Sequence, residues 1–90
     1  MTPPVVPSLP KDVYYIQVAS FTKRENALSM AERLKKNLYK VVIEEAVVNK
    51  QVYYRVRVGP FESRNAANNT MLAMKRRFDL ENPFVLKKES

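Results

Sequence analysis

Two stretches of the chain, Tyr14-Tyr15-Ile16-Gln17-Val18-Ala19-Ser20-Phe21 and Tyr54-Arg55-Val56-Arg57-Val58-Gly59-Pro60-Phe61, are related by a shift of 40 residues. Tyr14 falls on Tyr54, Val18 on Val58 and Phe21 on Phe61. Further along, Arg24 falls on Arg64, Ala27 on Ala67, Leu34 on Met74, Lys35 on Lys75 and Leu38 on Phe78. Each stretch is rich in β-branched and aromatic residues, the composition of a strand. Each runs on into apolar residues three and four apart, the spacing of a helix that buries one face. A repeat of this kind reads as one strand-turn-helix unit used twice. Neither unit alone can bury its helix, so the two must share one sheet.

The remaining elements follow outward from these stretches. Val13 to Ala19 reads as the first strand and Ser20 to Lys23 as a turn. A helix from about Arg24 to Asn37 follows, with Ala27, Met30, Ala31, Leu34 and Leu38 on its apolar stripe. Its acidic residues come early and its basic ones late, which complements the helix dipole. Val41 to Val48 is a second strand, Asn49-Lys50-Gln51 a polar hairpin, and Val52 to Val58 a third strand ended by a Gly59-Pro60 turn. Ser63 is a suitable N-cap for a second helix running to about Phe78, whose stripe is Ala67, Met71, Met74 and Phe78. Phe84 to Lys87 is a short last strand, and Pro83 ahead of it marks an edge or a strand start. The order β-α-β-β-α-β predicts an α+β, ferredoxin-like (RNP-like) fold: a four-stranded antiparallel sheet with two helices on one face.

The other face stays open, and alternation assigns side chains to it. Ile16, Val18, Tyr54, Val56 and Val58 are expected under the helices, with Tyr14 also in the core. Tyr15, Gln17, Tyr53, Arg55 and Arg57 are expected on the open face. In the second strand Val41, Ile43 and Val47 are placed inward and Glu44 outward. In the last strand Phe84 and Leu86 are placed inward and Val85 on the open side. Phe21 and Phe61 read as hydrophobic staples of the turns, the methionines as core filler, and Lys75-Arg76-Arg77 as a complement to the helix dipole. The open face thus gathers aromatic rings, an amide and guanidiniums on adjacent strands. Rings stack on apolar faces of sugars or bases, while planar polar groups hydrogen-bond their edges.

Composition narrows the chemistry. Ninety residues and 10.5 kDa make one small domain, read as residues 12–88 between a Pro-rich linker remnant at 1–11 and a tail at 89–90. No histidine and no cysteine are present, which removes the commonest general base, the commonest metal ligands and any disulfide. Ser20, Ser29 and Ser63 therefore have no histidine to activate them. Glu44 and Glu45 are strand neighbours that point to opposite faces, so they make no catalytic pair. The chain reads as a non-catalytic monomer with no metal and no cofactor, and any catalysis as belonging to another domain of the parent protein. Lys and Arg number 16 against 9 Asp and Glu, a net charge of +7 that points to an anionic partner or matrix. No signal peptide and no apolar run of membrane-spanning length is visible.

Tyr15-Ile16-Gln17-Val18-Ala19-Ser20-Phe21 with Asn26-Ala27, and Tyr54-Arg55-Val56-Arg57-Val58-Gly59-Pro60-Phe61 with Ser63 and Ala67, resemble the paired motifs of SPOR domains (sporulation-related repeats). The resemblance covers roughly residues 12–88. It implies a βαββαβ domain that binds peptidoglycan at bacterial division sites, in the periplasm of the cell envelope, on glycan strands stripped of stem peptides. The family's binding positions correspond to Gln17, Ser20, Arg55, Tyr53 and Val85; alternation adds Tyr15 and Arg57. Two departures stand out: the family usually has glycine where Ala19 stands, and commonly one around Asn37 to Tyr39.

The rival reading is an RNA-binding domain of the RNA-recognition-motif type, with the same element order and open face. Val52-Tyr53-Tyr54-Arg55-Val56-Arg57-Val58 lacks the aromatic-glycine signature of its third strand, so nucleic acid is not the expected partner. A small protein-interaction domain using an edge strand or its helices is the third reading.

Overall fold

Ile16 and Val18 give one strand a buried face, Val56 and Val58 do the same for another, and Ala27, Leu34, Ala67 and Met74 give each helix a buried stripe. Joining these surfaces makes the core. The computed structural model describes residues 12–89; the linker expected over 1–11, and Ser90, lie outside them. The elements are β1 (Asp12–Phe21), α1 (Arg24–Lys36), β2 (Val41–Val48), β3 (Gln51–Phe61), α2 (Arg64–Phe78) and β4 (Phe84–Glu89). β4 therefore takes in Glu89, the first of the two residues expected as a tail. All pairings are antiparallel, in the order β2-β3-β1-β4. This is the α+β architecture that the repeat predicts.

Both central strands run past their expected ends because both are bulged. Ile16 pairs with Val58 and Gln17 with Arg57, but Ala19 pairs with Val56, so Val18 is an extra residue in β1. In β3 the extra residue lies between Val58, opposite Ile16, and Phe61, opposite Tyr14. A bulge shifts alternation by one. Val18 and Ala19 consequently both face the core, Ser20 is turned to the open face opposite Arg55, and Phe21 is turned inward opposite Tyr54. Phe21 and Phe61 pack against the core as strand residues, not as staples of a turn.

The helix ends also differ from expectation. α1 stops at Lys36, where the Tyr39 N–H donates to the Leu34 carbonyl (3.1 Å) and the Leu38 N–H to the Lys35 carbonyl (3.0 Å). This paired closure needs a left-handed residue, usually glycine. Leu38 fills it at φ 69° and is 94% exposed, so it does not belong to the apolar stripe. Tyr39 packs on the core instead, edge-on to Phe78 with ring centroids 6.2 Å apart. α2 closes with Asp79 at φ 53° and the Leu80 N–H on the Lys75 carbonyl at 3.2 Å.

Candidate functional site: the open sheet face

Cross-strand partners share a face, so the register assigns the open side. Gln17 lies opposite Arg57, Ser20 opposite Arg55, Tyr15 opposite Leu86, Glu44 opposite Arg55 and Tyr53 opposite Ala46. Gln17, Ser20, Arg55, Arg57, Tyr15 and Tyr53 therefore come together on one surface. Val85 does not. It pairs with Ile16 and packs against the core, while Phe84 lies opposite Gln17 on the open side and is 47% exposed. The parity expected for β4 is thus inverted: Phe84 and Leu86 face outward and Val85 inward. Phe-Val-Leu is an unbroken apolar run with no alternation to set its phase.

The two arginines have different surroundings. Arg57 is 8% exposed, and its guanidinium is ion-paired with Glu44. Its Nε donates to Gln17 Oε1 at 3.2 Å. Lys88 Nζ reaches the same Glu44 carboxylate oxygen at 3.4 Å. A network Lys88–Glu44–Arg57–Gln17 thus crosses the sheet. Burying a guanidinium is costly unless it is paired and hydrogen-bonded, and here it is both. The network orients Gln17: with Oε1 taken by Arg57, its amide hydrogens are the groups left for a ligand. Arg55, half-buried on the same strand, forms no ion pair among the described residues. Arg57 is thus held by Glu44 and Gln17, while Arg55 carries a charge that no ion pair among the described residues neutralises.

Two depressions adjoin these groups. One, about 240 Å³, is lined by Tyr15, Val42, Ile43, Glu44, Arg57 and Lys88. The other, about 450 Å³, lies where β1 runs on beyond β4, between Gln17 to Phe21 and the segment from Phe78 to Phe84. Gln17, Ser20 and Phe84 are among the residues that line it.

The sequence matches the SPOR domain family over residues 10–87. The chain is a SPOR domain. The SPOR domain of RlpA from Pseudomonas aeruginosa is 28% identical and superposes with a TM-score of 0.72, covering 83% of this chain and 99% of that one. The peptidoglycan-binding domain of the Bacillus subtilis cell wall lytic enzyme CwlC, 18% identical, has the same fold, with a TM-score of 0.66 over 94% of this chain and 100% of that one. No curated protein matches the sequence. SPOR domains are non-catalytic binding modules. The family also decides between the two open-sheet readings in favour of the cell wall. No helix among the described residues is long and apolar enough to cross a membrane.

Proposed function

We propose that this SPOR domain binds peptidoglycan through its open face, takes glycan strands stripped of stem peptides, and carries its parent protein to the periplasmic division septum. The family and the two structural neighbours support the peptidoglycan-binding part of this reading. The observation that supports the stripped-glycan part is an unneutralised Arg55 on the same face as a Gln17 amide whose oxygen is already engaged by Arg57; the septal part rests on the family alone. Both then present donors only. The matching acceptors on a naked glycan are acetamide carbonyls, hydroxyls and lactyl carboxylates, and a guanidinium can hold a carboxylate by two parallel bonds. Ser20 adds a hydroxyl beside Arg55. Tyr15, Tyr53 and Phe84 supply apolar walls for sugar faces. A stem peptide amidated onto the lactyl group removes the carboxylate and adds bulk, so both charge and shape select against it.

The test is sedimentation with purified sacculi, with and without amidase treatment. Binding is expected to rise after stripping. Gln17→Ala and Arg55→Ala should each weaken it about tenfold, the range for a hydrogen bond to a charged group. Arg55→Ala should leave the unfolding midpoint nearly unchanged, whereas Gln17→Ala should lower it, because the buried Arg57 Nε–H loses its acceptor. Equal binding to both preparations would remove the stripped-glycan specificity, and binding unaffected by either substitution would remove the open face as its seat.

A further inference from the structure

Most of the chain's net charge does not lie on the open sheet face. Residues 22–40 and 62–79, the two helices with the loops that enter and leave them, hold ten Lys or Arg and four Asp or Glu, a net +6 of the chain's +7. The ion pairs among the described residues, Arg57–Glu44, Lys87–Asp12 and Lys88–Glu44, all lie on the strands. None neutralises a helix-layer cation. Between the helices Arg33 and Arg77 both stack on Phe78, with guanidinium carbons 5.7 and 5.8 Å from the ring centroid. Stacking holds the two guanidiniums beside one ring and leaves their charge intact, an arrangement suited to phosphate oxygens.

Apolar residues stand among these cations. Leu28 is 43% exposed on α1, Leu72 is 58% exposed on α2, and Leu38 is 94% exposed at the end of α1. Leu38 is close in sequence to Lys35, Lys36 and Lys40, and it holds a left-handed backbone that disfavours any residue with a Cβ. A strained and nearly bare leucine among lysines has no packing role in the domain. A soluble polyanion needs the cations alone. A lipid surface uses both, with phosphates for the cations and the acyl boundary for the leucines.

We propose that the helix layer is a second binding surface, which docks on an anionic phospholipid bilayer while the sheet face, on the opposite side, is left free for glycan.

The test is flotation of the chain with vesicles of phosphatidylglycerol and phosphatidylcholine, with pure phosphatidylcholine and soluble polyphosphate as parallel arms. Binding is expected to the anionic vesicles and not to phosphatidylcholine. Replacing both Arg33 and Arg77 by Gln should lower it by about twenty-fivefold, from about fivefold per cation near an anionic surface. Leu38→Gly should lower it about fivefold while raising the thermal midpoint, since glycine relieves the backbone and removes the apolar contact. That opposition separates docking from damage to the fold. Gln17→Ala and Arg55→Ala should leave vesicle binding unchanged. Three results overturn the proposal: no preference for anionic vesicles, vesicle binding that Leu38→Gly and Leu72→Ser leave intact and polyphosphate matches, or vesicle binding lost with Gln17 or Arg55.

Discussion

β1 and β3 are bent at repeat-related points, Val18–Ala19 in one half and Gly59–Pro60 in the other, and the two bends are made differently. Gly59 has φ 147°, and a Cβ there would lie 2.9 Å from both the Tyr14 carbonyl oxygen and Tyr15 Cδ1. Ala19 is not among the described residues with positive φ. The missing glycine is therefore no defect: alanine accepts the first bulge and still turns Ser20 to the open face. The two bends also present different chemistry. The position equivalent to Ser20 is Pro60, which has neither hydroxyl nor N–H, and the position equivalent to Gln17 is Arg57, which binds it. A duplicated scaffold thus supplies one site. The repeat makes the bends, and the departures from the repeat give the two halves of the open face different chemistry.

The sharpest way to break this comparison is to exchange the bulge residues. Gly59→Ala should destabilise the domain by about 3 kcal/mol, from a glycine-only backbone and a contact with a carbonyl that cannot move away. Ala19→Gly should cost no more than about 1 kcal/mol, the entropy of an added glycine in a strand. Urea unfolding of the pair decides it; equal costs would mean that the two bulges are alike. The helix starts come next. Ser63 Oγ accepts the Ala66 N–H at 3.1 Å, whereas Lys23 at the matching position of α1 makes no side-chain cap. Ser63→Ala should cost about 1 kcal/mol, and Lys23→Ser should add about 0.5 kcal/mol by supplying the absent acceptor. A Lys23→Ser variant with an unchanged midpoint would show that the first half closes its helix by other means.

The same contrast explains what could be read from the letters. Element order and sheet layout follow from periodicity and the repeat, because burying two helices on two strands leaves few arrangements. Gln17, Arg55 and Tyr53 follow from simple alternation. Ser20 lies three residues after Gln17 on the same face, which alternation forbids; only the bulge permits it, and a bulge at Val-Ala carries no letter of its own. Val85 and Phe84 cannot be assigned to a face from the letters, because an apolar triplet has no phase. The spacing of Leu38 puts it on the stripe, since nothing in the sequence marks a leucine for a left-handed cap. The division of labour between Arg55 and Arg57 depends on Glu44 from another strand, which sequence places on the right face without naming its partner.

β4 pairs with β1 only as far as Gln17, and beyond it Val18 to Phe21 line the larger depression. The backbone that carries Ser20 is therefore fastened to a strand on one side only. Its amides that turn away from β3 are open to deuterium as those of an edge strand are, while those of Ile16 and Gln17 are held between two strands and exchange more slowly. Ligand seated across Gln17 and Ser20 would close that opening, so slowed hydrogen exchange at residues 18 to 21 becomes a reporter of occupancy that requires no label and no change to the site.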